Sequence, residues 1–183
     1  DSVIHNGYFV VSDIFLTSRV GISANLSMVV MSIGQVAEIL TMVILGWVLS
    51  KLGWKWTMIV GILGHAARFF VFAFLPDMQW MIIGVQVLHG ICYAFFFAAV
   101  YIFVDAVFPE DVRASAQGLF NLLILGLGMV AASFIFPQLM ANMTLADGSV
   151  DWQNLFLVPT GLALIAILLM ALFFKPPTER PER

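Results

Sequence analysis

Two residues able to hydrogen-bond, one of which can also exchange a proton, lie deep in a long apolar segment. Gln35 and Glu38 occur in the run MSIGQVAEIL, three residues apart, so on a helix they share one face. A carboxyl group at the centre of a bilayer costs about 2.5–3.5 kcal/mol, and such groups usually face a cavity or a partner. We favour a substrate- and proton-binding site in which Glu38 takes and releases a proton. The alternative is a neutral Glu38 bonded to a neighbouring helix.

A second polar pair, His65 and Arg68, occurs in the segment GHAARFF, again three residues apart. A guanidinium keeps its proton and only donates, so a buried Arg68 needs an acceptor. That acceptor is either a carboxylate, in an ion pair within the membrane, or the oxygens of a substrate. His65 is surrounded by small residues, and a role in helix packing is favoured over a role in ligand binding.

An aromatic face follows in LHGICYAFFFAAVYIFVD. His89, Tyr93, Phe96, Phe97 and Val100 have the spacing of one helical face. Aromatic side chains stack well on planar rings such as nucleobases. Each Phe could instead face lipid, whereas Tyr93 and His89 also carry polar groups and are the stronger candidates for substrate binding.

Motifs for catalysis and metal binding are absent from the sequence. It has no HExxH, no GxSxG and no P-loop. The three histidines are scattered, and one cysteine, Cys92, allows neither a disulfide framework nor a cysteine-based metal site. We therefore predict a protein that is not an enzyme and that has no metal and no cofactor.

The helices that carry these residues must span a lipid bilayer. Of the 183 residues, 62% are hydrophobic and 10% are charged, against about 45–50% and 25% in soluble domains. This excludes a soluble enzyme and a nucleic-acid-binding protein. Five apolar stretches are long enough to cross: 25–50, 55–76, 79–108, 112–141 and 152–174. Stretch 3–17 is shorter and predicts the second half of a span in a chain that lacks its upstream part.

The loops between these stretches are short, which predicts an up–down helical bundle. Basic residues then set its orientation, because they concentrate on the cytoplasmic side of a membrane. Six fall on one side of the predicted bundle: Lys51, Lys55, Arg113, Lys175, Arg180 and Arg183. Arg19 falls on the other side. The C-terminus is therefore predicted to be cytoplasmic, with residues 176–183 as a polar tail.

Asp105 lies near the cytoplasmic end of its predicted span. An acidic residue at that depth has basic partners available in the adjoining loops. We expect Asp105 to pair with Arg113, Lys51 or Lys55 as a structural latch.

Two loop patterns resemble the major facilitator superfamily of transporters. GWVLSKLGWK (46–55) is similar to its cytoplasmic hairpin motif, although Ser50 stands at the acidic position. PEDVRASAQG (109–118) is similar to its P-x-x-x-R-x-x-A-x-G junction. Within that superfamily, MSIGQVAEI, HAARFFVFAF and LHGICY…FFF…VD resemble the nucleoside:proton symporter family over nearly the whole chain.

The resemblance implies that residues 1–175 are the C-terminal six-span half of a twelve-span, multi-pass transporter of a bacterial inner membrane. The missing N-terminal half would then be its partner, and nucleosides and protons would be its substrates. The same resemblance places Gln35 and Glu38 in the substrate site and Tyr93 in the cavity wall.

One position departs from the family pattern. The family commonly has an aspartate where this chain has Ala94, and often a small residue where it has Phe97. Either Glu38 alone couples protons, or the coupling or the substrate differs. Two rivals therefore stay open: a transporter of sugars or other small polar solutes, and a sensor that binds a solute without moving it.

Overall fold

The computed structural model describes residues 1–177, which fold into helices joined by short connections. The helices are α1 (Ser2–Ser18), α2 (Ala24–Phe74), α3 (Gln79–Val107), α4 (Glu110–Asn142) and α5 (Trp152–Phe173). The prediction of an all-α membrane fold is confirmed at this level. Of the predicted polar tail, residues 178–183 lie outside the described residues.

Helix α2 is a hairpin of two helical arms. Its 51 residues would extend about 77 Å as one straight rod, more than twice the thickness of a bilayer core. The helix is interrupted at Gly53, where φ is 70° and ψ is 175°, a conformation that favours glycine. Gly34 in the first arm (24–52) packs on His89, and Gly64 in the second arm (54–74) packs on Cys92. Both arms therefore run alongside α3, and the break lies inside the predicted loop 50–55.

Four helices, α2 to α5, are long and apolar enough to cross a membrane. The five predicted stretches correspond to the two arms of α2 and to α3, α4 and α5. Helix α1, with 17 residues, matches the short stretch at 3–17. The lengths of the apolar stretches and the positions of the loops therefore located the helices to within a few residues of their observed ends.

Helix α3 lies at the centre of the bundle. In the most apolar 18-residue stretch of α3, 56% of the residues are buried, against 22–28% in the corresponding stretches of α2, α4 and α5. On one side it packs against α1 and the second arm, and on the other against the first arm. Side chains on α3 can therefore reach three helical segments, which makes α3 the element that assembles the site.

Two helices contain turns with wider, i→i+5 hydrogen bonding. They are Tyr93–Ala98 in α3 and Leu122–Leu127 in α4. Such π-turns are frequent at functional sites because they leave backbone groups free and change the phase of the side chains. In α4 the carbonyl of Ile124 accepts a hydrogen bond from Ser2 Oγ at 2.7 Å. Helix α1 thus bonds to the irregular turn of α4.

Candidate functional site

Arg68 is the centre of a buried polar cluster where α1, the second arm and α3 meet. Its side chain is fully buried. Nη1 lies 2.8 Å from His89 Nδ1, and Nη2 lies 3.4 Å from His65 Nδ1. No carboxylate within residues 1–177 lies within 4.0 Å of its guanidinium nitrogens. An ion pair with a carboxylate, one of the two alternatives expected for Arg68, is therefore not formed among these residues, and imidazole nitrogens contact the guanidinium instead.

Tyr8 of α1 covers the other face of this guanidinium. The carbon at the centre of the guanidinium lies 3.8 Å from the centroid of the Tyr8 ring, a distance at which the ring's electrons attract the cation. The Tyr8 hydroxyl donates to Gln86 Oε1 at 2.7 Å, and Gln86 is fully buried on α3. One tyrosine thereby connects all three segments.

His5, one turn before Tyr8, completes the aromatic part of the cluster. Its ring is stacked on His89, with centroids 5.0 Å apart and planes inclined by 26°. It also meets Phe97 edge-on at 4.8 Å. Asp1, a further turn back, places Oδ2 3.5 Å from His65 Nε2. The three scattered histidines of the sequence are thus neighbours in space.

The sequence interpretation missed the contribution of α1. Asp1, His5 and Tyr8 are spaced i, i+4 and i+7 and therefore share one helical face. That spacing was visible in the sequence, but the stretch was interpreted only as an incomplete span. Gln86 carried no signal of its own, because its role depends on the tyrosine that reaches it.

Gln35 and Glu38 lie on the opposite side of α3. Gln35 is exposed, and Glu38 is half-buried. Gly90 of α3 packs directly on this part of the first arm, since a Cβ at Gly90 would lie 2.4 Å from Glu38 N. Tyr93, three residues further on, is also half-buried. Within residues 1–177 neither the Gln35 nor the Glu38 side chain has a hydrogen-bonding partner, so both remain available to a ligand.

The predicted aromatic face is divided between these two regions. His89 and Phe97 are buried beside His5, and Tyr93 lies at the border, its ring 6.0 Å from that of His5. Phe96 is half-buried and packs towards the second arm, where a Cβ at Gly61 would lie 2.9 Å from its own Cβ. The expectation that Phe96 shares the Tyr93 face assumed regular helical spacing, which the π-turn at Tyr93–Ala98 interrupts.

The two ends of the bundle carry exposed ion pairs. At the end that bears Lys51, Arg113 Nη1 lies 3.5 Å from Asp105 Oδ1. Lys55 donates instead to the carbonyl of Ala171 in α5, at 2.5 Å, and Lys51 is exposed. Of the expected partners of Asp105, Arg113 therefore pairs with it, and Lys55 bonds to the last turn of α5.

At the other end, Arg19 donates to Asp77 at 2.8 Å. This hydrogen bond and the charge of Arg19 hold the pKa of the Asp77 carboxyl below its usual range. The pair joins the α1–α2 connection to the α2–α3 connection and lies outside the apolar segments.

Among the described residues no three His, Cys, Asp or Glu side chains are placed to hold a metal ion. Ala94 is fully buried and packs in an apolar cluster with Leu45 and Met58. No polar group takes the place of the aspartate that the family commonly has at this position.

The chain is similar to known transporters over most of its length. A family model described as nucleoside H+ symporter matches residues 1–179. Nucleoside permease NupG of Escherichia coli (strain K12) is 28% identical over 149 residues, which cover 79% of this chain and 35% of the permease. Xanthosine permease of the same organism is 29% identical over 150 residues, which cover 80% of this chain and 36% of that permease.

Solved structures agree with the fold. A crystal structure of nucleoside transporter NupG superposes with a TM-score of 0.72 at 26% identity, covering 82% of this chain and 38% of NupG. A mutant form of NupG gives a TM-score of 0.82 at 24% identity, covering 95% of this chain and 46% of that one. The chain therefore spans about a third to a half of the length of the relatives it matches.

The match to the family model covers nearly every residue, and it includes the buried cluster and the Gln35–Glu38 pair alike. The relatives are permeases by name. The chain is thus an integral membrane protein that belongs to the nucleoside H+ symporter family, a family of transporters and not of enzymes.

Proposed function

We propose that this chain is the C-terminal half of a secondary active transporter that takes up nucleosides together with protons. The observation that carries the proposal is Glu38. It is a half-buried carboxyl with no partner within residues 1–177, and it stands in the middle of an apolar arm beside Tyr93. Family membership gives this carboxyl a function, because a symporter needs a group that binds and releases a proton near the substrate.

The proposed architecture is of the major facilitator type. Helix α1, the two arms of α2, and α3 to α5 would supply six spans. Coverage of 35–46% of the relatives' length supports a half-transporter. Residues 1–175 would form this half, and 176–183 a cytoplasmic tail. The basic end would face the cytoplasm of a bacterial inner membrane, and the substrate would lie between the two halves near the midplane.

Each candidate substrate-binding residue has a proposed role. Gln35 can both donate and accept hydrogen bonds, which suits ribose hydroxyls or the edge of a base. Tyr93 would pack on the base, with Phe96 or Phe97 behind it. His89 would contribute from the boundary with the Arg68 cluster. Glu38 would exchange the coupling proton, because the aspartate of the family pattern is replaced by the buried Ala94.

Uptake of radiolabelled uridine by the full-length protein tests this assignment. We expect uptake driven by an inward proton gradient to be lost in Glu38→Gln, which has the same shape but cannot exchange a proton. Glu110→Gln is the matched control, because Glu110 is exposed at the start of α4. Unchanged gradient-driven uptake in Glu38→Gln would remove the coupling role.

The absence of a carboxylate at Ala94 favours one alternative, a sensor that binds a nucleoside without moving it. Exchange of labelled for unlabelled uridine in proteoliposomes separates the two functions. Binding without exchange would support the sensor, and rapid exchange would support the transporter. A panel of competing solutes tests the substrate class, since competition by sugars and not by nucleosides would favour a carrier of other small polar solutes.

A further inference from the structure

The three histidines of the buried cluster are not equivalent. Arg68 donates towards Nδ1 of both His89 and His65. A guanidinium has no lone pair to offer, so each of these nitrogens must present its own. Protonation at either Nδ1 would remove that lone pair and leave a buried N–H of Arg68 without an acceptor. Arg68 therefore holds His65 and His89 in the neutral form.

His5 is free of this constraint. Its Nδ1 is buried and has no hydrogen-bonding partner within residues 1–177. The residue is 8% exposed, and the neighbouring Phe9 on α1 is 40% exposed, so His5 lies close to the surface of the cluster. Of the three imidazoles, it is the one that can gain a proton without breaking a hydrogen bond.

Positive charge already lies close to His5. The cluster contains one buried cation, Arg68, and one buried carboxyl group, Asp1, whose Oδ2 lies 3.5 Å from His65 Nε2. The titratable or charged groups facing His5 are the side chain and the amino group of Asp1 and Tyr8 on α1, His65 and Arg68 on the second arm, and His89 and Tyr93 on α3. A proton on His5 would add a further positive charge beside Arg68, where little water screens the repulsion.

Helix α1 contacts its neighbours through surfaces of different character. At its C-terminal end Phe15 packs on Trp152 and Phe156 of α5. The surface towards α3 and the second arm contains the stacked His5 and His89 rings. The surface towards α4 is closely packed and has no titratable group. Gly7 lies under the ring of Phe136, and Ser2 donates a hydrogen bond to the carbonyl of Ile124. Repulsion from a charged His5 would therefore act on the surface towards α3 and the second arm and leave the surface towards α4 intact.

We propose that His5 is a second proton-binding residue, and that its protonation moves α1, together with α4, away from α3. Hydration of the separated surface would stabilise the imidazolium. In a transporter this movement would link proton binding to the exposure of the cavity, so its use in transport rests on the proposed function. The movement itself needs no substrate and can be measured separately.

Ser12 supplies the probe of this movement. It is fully buried on the same face of α1 as His5, seven residues further along. Ser12→Cys changes one atom, and its reaction with a small maleimide reports whether the surface has opened. Ser18→Cys, exposed on the same helix, is the reference that corrects for the pH dependence of thiol chemistry. Cys92 and any further cysteine of the full-length protein are replaced by alanine.

We expect the ratio of Ser12→Cys to Ser18→Cys labelling to rise several-fold between about pH 8 and about pH 5.5, the range in which a hydrated imidazole gains its proton. In His5→Gln we expect the ratio to stay, at every pH, at the low value that the native residue gives at about pH 8. In His5→Arg, which is always charged, we expect it to stay, at every pH, at the raised value that the native residue gives at about pH 5.5. Glu38→Gln retains the pH response, even though its coupled uptake is lost.

Two results would overturn the proposal. One is a labelling ratio that does not change with pH in the protein with native His5, which requires no variant at His5 to fold. The other is a pH response that persists in His5→Gln. If uridine transport were absent while the pH response remained, the proposed function would fail and the inference about His5 would stand.

Discussion

The two sides of α3 carry polar residues in opposite states. On one side Arg68, His65 and His89 are fully buried or nearly so and contact one another. On the other side Gln35 and Glu38 are exposed or half-buried and have no hydrogen-bonding partner within residues 1–177. In the first set Arg68 Nη1 and Nη2 bond to the two imidazoles within the protein, whereas the side chains of the second set have no such bond.

This difference teaches how polar groups in a membrane protein divide between structure and function. Hydrogen bonds within the bundle lower the cost of burial and fix the helices relative to one another. Groups without internal partners must face water, another part of the protein or a ligand. Substitutions on the two sides should therefore separate stability from transport.

The largest expected effect is at Arg68. Arg68→Met removes the donors to two imidazoles and the cation over the Tyr8 ring. We expect a loss of about 3 kcal/mol or more of the free energy of unfolding. The melting temperature of the purified full-length protein in detergent measures it.

Glu38→Gln is the comparison for that measurement. Its side chain is half-buried and has no hydrogen-bonding partner within residues 1–177, so we expect a change within about 0.5 kcal/mol. Arg68→Lys should recover only part of the loss, because an ammonium cannot reproduce the geometry of the two-pronged contact. Equal destabilisation by Arg68→Met and Glu38→Gln would contradict the division between the two sides.

A smaller effect is expected where the first arm touches α3. A methyl group at Gly90 would lie 2.4 Å from backbone atoms of Ala37 and Glu38, which cannot move without separating the two helices. Gly90→Ala should therefore cost about 2 kcal/mol and displace Glu38 from Tyr93, so that proton-driven uptake falls as well. Gly161→Ala in α5 is the matched control, because nothing lies within 4 Å of its added methyl group, and it should leave both stability and uptake unimpaired.

The helices and the Gln35–Glu38 pair could be predicted from the sequence for the same reason. Both depend on local patterns, namely the length of an apolar run and the spacing of two polar residues within it. Gly53 fits the same account. It lies in the predicted loop 50–55, and it is the residue at which the helical backbone of α2 is interrupted.

The Arg68 cluster could not be predicted in the same way. Its members come from three helical segments, and no local spacing indicates that Tyr8 reaches Gln86 or that His5 stacks on His89. The π-turn at Tyr93–Ala98 is likewise invisible in a pattern that assumes a constant helical period, and it directs Phe96 towards the second arm.

Tyr8→Phe tests whether the cluster depends on individual hydrogen bonds. The variant keeps the ring over Arg68 but leaves the buried Oε1 of Gln86 without its donor. We expect a loss of about 1 kcal/mol, in the range measured for hydrogen bonds between membrane helices. Tyr93→Phe, on the half-buried side, should leave the melting temperature unchanged and lower the affinity for uridine. If instead Tyr93→Phe lowered the melting temperature and Tyr8→Phe changed only the affinity for uridine, the assignment of a structural role to Tyr8 and a binding role to Tyr93 would be wrong.

The smallest effect should come from a charged pair outside the bilayer. Arg19 lowers the pKa of Asp77 in the folded protein, so this pair contributes stability above the pKa of the unfolded carboxyl and loses it as the pH falls through the folded pKa. We expect Asp77→Asn to lower the melting temperature slightly at about pH 7, and the difference from the native protein to shrink as the pH falls below about 3.9, the usual pKa of an aspartate. Arg19→Gln should give the same small change, and the double variant no more than either single one. Because Arg19 and Asp77 are exposed to water whereas Arg68 is fully buried, a loss as large as that of Arg68→Met would show that burial does not set the size of these effects.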